Sequence, residues 1–433
     1  MKTDAINKED IIKKRNCFVI SLLFVVGMGY PAWSQEQNNE TTGEHVMKAN
    51  TTVVANRGYA AKTATRPPVE RAWLYRPQTA WFYSHHPFLT FFNGRYYAIW
   101  SNGRRNEDAP GQRVLLSTSV DFRNWTTPAP LVDSQPAPTG SEYVFTASGF
   151  HQHAGRLVAY VGRYAYLPEG LEPNGERKLA DAHHTGTTLL ALSTTDGEHW
   201  SVPADLRLPT KFNMPPARLK SGRLLAANGF IYPYTDDPAG LTGWKLGGLI
   251  PPSMRDKPVD DSETIWRLKT EFNLSVPTLC EGSFFQTDDG MIHMQLRTNS
   301  ERLWQTESAD DGATWSPPTP TEFSDNATKF HFGRLPDGRF YYVGCPDPEP
   351  RWRRSPLVLS LSGDGIHFDR HFILADDSTP YEQQAPGMHK GGDYGYPHTL
   401  VHDGSLHVIV SRRKEAVEVL RVPVPTAFRN SRF

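Results

Sequence analysis

Residues 83–132 read YSHHPFLTFFNGRYYAIWSNGRRNEDAPGQRVLLSTSVDFRNWTTPAPLV, and this stretch decides the fold. An apolar run from Pro87 to Phe92 stops at Asn93-Gly94, and an alternating run from Arg95 to Trp100 answers it. Asn-Gly between two such runs is a strong two-residue hairpin signal, because both turn positions need positive φ. A third run, Arg113 to Ser117, leads into STSVDFRNW. Three strands and a terminal turn make one blade of a β-propeller.

The same unit returns along the chain, and a repeat of this kind fixes the architecture before any single motif does. ASGFHQHAGRLVAYVGRYAY resumes after an insertion as TTLLALSTTDGEHW. MPPARLKSGRLLAANGFIY precedes an irregular excursion from Thr235 to about Glu271. EGSFFQTDDGMIHMQLRTNSERLWQTESADDGATW, KFHFGRLPDGRFYYVGCPD and YPHTLVHDGSLHVIVSRRKEAVEVLRVPV follow. Six units are readable, and the segment before Tyr83 together with the chain end is expected to supply a seventh. Four units close on variants of S-x-D-x-G-x-x-W: Ser117 to Trp125, Ser193 to Trp200, Ser308 to Trp315 and Ser362 to Phe368. These are Asp-boxes, two of them degenerate, and they point to an all-β, sialidase-like propeller. Their Asp and Gly shape a tight turn and their aromatic wedges between blades, so the role expected of them is structural.

Composition agrees with many short strands. The 35 prolines and 34 glycines supply turn formers throughout, and a formal charge of -1 leaves no global field to recruit nucleic acid or an anionic membrane. Lys13, Lys14 and Arg15, an apolar run from Cys17 to Val26 and Ala32-Trp33-Ser34 form a signal peptide over residues 1–34, too short in its apolar core to span a bilayer comfortably. Export to the periplasm or the exterior is expected, with no membrane contact after cleavage and a monomeric product. Residues 35–66 read as a polar tether carrying a candidate clasp strand, TTVVANRGYAA, and 67–433 as one propeller domain. Cys280 and Cys345 could form a disulfide or stay as buried thiols.

Alternating strand direction places the start of each innermost strand and the end of each second strand on one face, around the axis. The strand starts are His85 and His86, Tyr143, Asn213, Glu281, Lys329 with His331, and Tyr396 with His398. The second-strand ends are Asn102, Arg163, Arg297 and Arg412 with Arg413. Arginine at three equivalent places predicts an anionic ligand, since its planar fork matches a carboxylate. A histidine at the funnel mouth can exchange protons near neutral pH. Glu107, Asp108, Asp181, Glu281 and Asp393 are available carboxylates, but their spacing singles out no hydrolytic pair.

SHHPFLTFFNGRYYAIWSNG, EDAPGQRVLLSTS, YVGRYAY and YPHTLVHDGSLHVIVSRRKEAVEVLRV together resemble the seven-bladed rhamnose-glucuronate lyases, polysaccharide lyase family 42. The resemblance spans residues 73 to about 425 and implies a glycan substrate with a uronate carboxylate, ending in L-rhamnose linked α-1,4 to glucuronate in arabinogalactan-type chains. Lyase chemistry by β-elimination is implied, with His86 or His85 moving protons, His151 or Tyr160 covering for a family tyrosine, Arg163 clamping the carboxylate, and Arg412 and His398 of the closing motif at the substrate; Arg297 and Tyr396 join the substrate-binding candidates by their place around the funnel. The lyases carry a second histidine where this chain has Arg104-Arg105-Asn106. Tyr396 also lies where a sialidase nucleophile would be sought, although the Arg-Ile-Pro signature of sialidases is replaced by HHPF. Hydrolysis of a terminal sugar and non-catalytic glycan binding are the alternative functions. No cofactor is required by the sequence; histidines and acids near the axis could hold a structural calcium or zinc ion, but no H-x-x-x-H or paired-cysteine spacing marks a dedicated site, and the metal is left open.

Overall fold

The computed structural model describes residues 53–178, 183–250 and 279–424. The segment read as a signal peptide, the first part of the tether and much of the excursion after Thr235 lie outside them, as does Asp181. In chain order the strands are β1 (Glu70–Tyr75), β2 (Tyr83–Phe92), β3 (Arg95–Gly103), β4 (Arg113–Ser119), β5 (Ala129–Val132), β6 (Tyr143–His153), β7 (Arg156–Tyr166), β8 (His184–Thr194), β9 (Ala204–Asp205), β10 (Met214–Arg218), β11 (Leu224–Ala227) and β12 (Tyr234–Thr235). They continue as β13 (Gly282–Gln286), β14 (Ile292–Leu296), β15 (Arg302–Ser308), β16 (Thr319–Ser324), β17 (His331–Arg334), β18 (Phe340–Gly344), β19 (Leu357–Ser362), β20 (Phe368–Ala375), β21 (Tyr394–His402), β22 (Ser405–Arg412) and β23 (Ala416–Pro423).

These form six antiparallel sheets, β2–β5, β6–β9, β10–β12, β13–β16, β17–β20 and a last one ordered β1-β23-β22-β21. Among the described residues the propeller therefore has six blades rather than seven. The reason is the register of β1: Glu70 pairs with Arg421 and Trp73 with Glu418, so the segment before Tyr83 completes the sixth sheet instead of starting another. That pairing closes the ring, and its seam is apolar. Leu74 and Tyr75 of β1 pack with Trp100 of the first blade and Val417 and Val419 of the last, all nearly solvent-free. The stretch offered as a clasp lies elsewhere: Ala55 makes single parallel bridges to Glu322 and His367, pinning blades four and five together, with Val54 fully buried beside them.

Local sequence explains the hairpins. Asn93 and Gly94 take φ of 45° and 77°, and Asp403 and Gly404 take 46° and 64°, the paired positive angles of a type I′ turn. The turns after the third strands are closed by aspartate. Asp121 accepts the backbone N–H of Arg123 and Asn124, Asp196 those of Glu198 and His199, and Asp364 those of Ile366 and His367. Trp315 then wedges against Tyr232 of the preceding blade, ring centres 4.6 Å apart. Cys280 and Cys345 are not joined in a disulfide. No helix among the described residues is long and apolar enough to cross a membrane.

Candidate functional site

The innermost strands do not run straight through the axis. In β2 the ladder skips between His85 and Phe88, in β21 between Gly395 and His398, and in β6 between Ala147 and Phe150. The residue thrown out is His86 (φ 51°) in the first, Tyr396 (φ 52°) in the second and Gly149 (φ 99°) in the third. A non-glycine residue held in this conformation costs roughly 1–3 kcal/mol, and bulges that re-aim a side chain concentrate beside functional sites. A fourth inner strand, β10, skips between Met214 and Ala217; two of the four bulges carry chemistry-bearing side chains, and each of those two is followed by proline, Pro87 or Pro397. The His85 and His86 rings lie 4.0 and 5.1 Å from that of Tyr396.

Tyr396 reaches across to the fourth blade and donates its hydroxyl in a short hydrogen bond to Glu281 Oε1. Glu281 is fixed in turn by Arg297, whose Nη1 lies 3.0 and 2.8 Å from its two oxygens. All three are at least nine-tenths buried. Burial alone would raise the Glu281 carboxyl, but Arg297 and the tyrosine hydroxyl bring it below its usual range. Burial and the Glu281 charge push the Tyr396 phenol well above 10. At neutral pH the pair is therefore a phenol hydrogen-bonded to a carboxylate, a nucleophile with its base already in place.

On the other side of Tyr396, Ser411 gives its hydroxyl proton to the Gly395 carbonyl (3.2 Å). Its oxygen must then accept from His85 Nδ1 at 2.7 Å, which leaves the His85 Nε2 lone pair facing inward. That atom is buried without a hydrogen-bond partner and lies 3.8 Å from Glu107 Oε1. Glu107 Oε2 holds Lys414 Nζ at 2.6 Å. His86 Nδ1 meets Ser101 Oγ at 3.1 Å. Burial drives both imidazoles down, His85 well below its usual value and His86 to about 4, so both are neutral at pH 7. Burial would raise Glu107, yet Lys414 carries it down to about 2.

Burial lowers Lys329, beside the Tyr396 ring, to about 8 against the pull of Glu281. Arg354 is 6% exposed, and its Nε and Nη1 have no hydrogen-bond partner. The guanidinium fits because two neighbours are glycine. A Cβ on Gly392 would lie 2.4 Å from Arg354 Cδ, and one on Gly395 would crowd Ser411 Oγ, His85 Cε1 and Arg354 Nη1. A buried cation without a partner is costly unless something else supplies the charge. His85, His86 and Glu107 offer three atoms within 4.8 Å of one another, a donor set a divalent ion could use. The surrounding charge opposes that use: Arg297, Arg354, Lys329 and Lys414 outnumber Glu107 and Glu281, which favours an anion.

The structure gathers His85, His86, Tyr396 and Arg297 into this cluster. His398 lies further along the same strand, stacked on His331 at 4.7 Å, its Nδ1 accepting the Leu89 N–H. The other expected residues stand apart. Arg163 points to the outer strand of its own blade, 3.2 Å from Asp205 and over the Tyr143 ring. His151 holds the Pro238 carbonyl at 2.8 Å, in a contact between blades two and three. Arg412 is paired with Glu418 at 2.7 Å and lies over Tyr394. The three equivalent arginines thus share no ligand, because each meets a different acid on its own sheet. Sequence reasoning did not assign Arg354 or Lys414. Glu281, Lys329 and Glu107 were visible as strand starts or loop acids, with nothing to pair them.

A family model described as the BNR repeat-like domain matches residues 94–408, more than half of the sequence. The chain belongs to the BNR repeat-like domain family. Solved structures similar to this BNR repeat-like chain include a protein titled "Sialidase" (18% identity, TM-score 0.56, covering 84% of this chain and 33% of that one). They also include a Dyadobacter fermentans protein of unknown function (18%, 0.55, 82% and 100%) and Trypanosoma rangeli sialidase (13%, 0.56, 82% and 59%). The BNR repeat-like chain spans about a third of the first of these and all of the second. At these identities the likeness is one of fold. No curated protein matches the sequence.

Proposed function

We propose that this propeller cleaves the glycosidic bond of an acidic terminal sugar, with Tyr396 as nucleophile. The observation that carries the reading is the buried relay in which Glu281, fixed by Arg297, accepts the Tyr396 hydroxyl. The phenol oxygen attacks the anomeric carbon as its proton passes to Glu281, and the bond to the leaving oxygen breaks. Water then attacks the anomeric carbon and the bond to the tyrosine oxygen breaks; Glu281 returns its proton to the phenoxide, and the proton lost by water passes to the group that protonated the leaving oxygen. A phenol suits a sugar whose carboxylate sits beside the anomeric carbon, because a carboxylate nucleophile would be repelled by it. Arg354, with two unpartnered nitrogens, is the cation available to that sugar carboxylate. An anion bound there raises the pKa of His86 and Glu107, which turns the group nearest the leaving oxygen into its proton donor.

A second reading is favoured by the neutral His86 imidazole beside Tyr396. It is β-elimination from a 4-linked glucuronate, releasing L-rhamnose from arabinogalactan-type glycans. Six blades instead of seven weaken the tie to the rhamnose-glucuronate lyases. Under either reading the short apolar N-terminal run directs export, and the enzyme meets its glycan outside the cytoplasm as a monomer. The test is incubation with sialyllactose and with a rhamnose-capped glucuronate oligosaccharide, following free sugar and unsaturated-uronate absorbance together. Release without absorbance supports glycosidic hydrolysis. Rhamnose release with absorbance transfers the conclusion to the lyase, and binding without release makes the protein a glycan-binding module.

A further inference from the structure

A cavity of about 420 Å³ opens at the seam of the last two blades, between the end of β20 and the turn from β22 to β23. It lies on the same face as the axial cluster, yet its electrostatics are opposite in kind. Every charged side chain on its wall is already matched. Arg353 pairs with Asp377, Arg413 with Asp393 at 2.8 Å, Lys390 with Glu415 at 2.7 Å and Arg412 with Glu418 at 2.7 Å. Asp376 is held by Arg66 at 2.6 Å. No net charge is left to attract an ion. What the wall does present is a dense set of fixed N–H donors and carboxylate lone pairs, which is what vicinal hydroxyls need.

One side of the cavity is aromatic. Tyr381 is half-buried, its ring held 5.8 Å from Trp73, which is itself flanked by Arg76 and Arg412. A ring fixed in this way offers an apolar face at little entropic cost. The cavity and the axial cluster share a wall. Arg412 and Arg413 face the cavity, while the next residue, Lys414, turns to Glu107. On the neighbouring strand Gly392, Asp393 and Tyr394 line the cavity, and Tyr396 is two residues on.

We infer that this cavity binds a neutral pyranose of the same glycan whose acidic terminal sugar enters the axial cluster, so that the protein selects extended chains. The inference rests on the glycosidase reading for its placement and on the paired charges and Tyr381 for its chemistry. A neutral sugar is recognised here by stacking and hydroxyl hydrogen bonds, with no anionic requirement.

The experiment compares kcat/KM for the acidic sugar carried on lactose with that for the same sugar on methylumbelliferone, in wild type and in Tyr381→Ala and Arg413→Ala variants. The ratio of the two values is expected to fall about tenfold in each variant. A ratio unchanged in both overturns the inference and leaves the glycosidase reading standing. Saturation-transfer NMR of galactobiose supplies an arm independent of turnover. Signal in wild type that is lost in Tyr381→Ala supports the cavity even if neither glycoside is cleaved, an outcome that would instead sink the glycosidase reading. Absence of signal in wild type, or equal signal in the variant, overturns the cavity's role.

Discussion

Replacing Glu281 by glutamine keeps the shape of the relay and removes its base. A tyrosine with an ordinary pKa near 10 is ionised to roughly one part in 10³ at pH 7, and burial with a neighbouring carboxylate puts Tyr396 higher still. Without a proton acceptor, attack by the phenol must therefore draw on that small fraction. The expected loss in kcat is ~10³-fold, about 4 kcal/mol of barrier, in the middle of the range that one positioned base contributes. The substitution also takes from Arg297 a buried carboxylate 2.8 Å away; breaking a buried ion pair costs ~3–5 kcal/mol, so melting temperature is measured alongside. Tyr396→Phe serves as companion, since it removes the nucleophile without disturbing the Arg297–Glu281 pair. Single-turnover assays on a cleaved acidic glycoside give the readout. A folded Glu281→Gln protein within tenfold of wild type would refute the relay.

Arg354→Met removes a buried guanidinium with two unpartnered nitrogens; the folded protein should melt higher while KM for an acidic substrate rises at least tenfold, and a lower melting point with unchanged KM would show that Arg354 is structural. Asp325 provides a pH test, because burial raises its carboxyl to about 8 against the pull of Arg297. The fold then holds a proton that the unfolded chain releases near 4, so stability is full below pH 4 and declines up to about pH 8, by on the order of 3–5 kcal/mol. Asp325→Asn should flatten this slope in denaturant titrations at pH 5 and 8. At the closing seam, Trp100→Ala removes a fully buried ring and is expected to cost ~3–5 kcal/mol by denaturant unfolding.

Hairpins and turns were legible because their information is local: Asn93-Gly94 and Asp403-Gly404 state their own φ angles, and each aspartate after a third strand caps its own loop. The number of blades was not, since ERAWLY carries no mark of whether it starts a sheet or completes one; Trp73 finds Glu418 only through ring closure. Strand-start logic put His86, Glu281 and Tyr396 on one face. It could not pair Tyr396 with Glu281, 115 residues away across the axis. The arginine argument erred for a physical reason. Equivalent strand ends need not aim inward, and Arg163 and Arg412 each had an acid closer to hand on their own blades, Asp205 and Glu418. Arg354 sits in an aperiodic loop, RWRRSP, where nothing but its unpaired burial distinguishes it from its neighbours.

The claim that Tyr396 is the nucleophile is tested most directly by trapping. Incubation with a fluorinated acidic glycosyl fluoride, followed by peptide mass spectrometry, should place one glycosyl adduct on the peptide containing Tyr396, and Tyr396→Phe should abolish it. Turnover of an acidic glycan with no adduct on that tyrosine, or with an unsaturated uronate as product, would contradict the account.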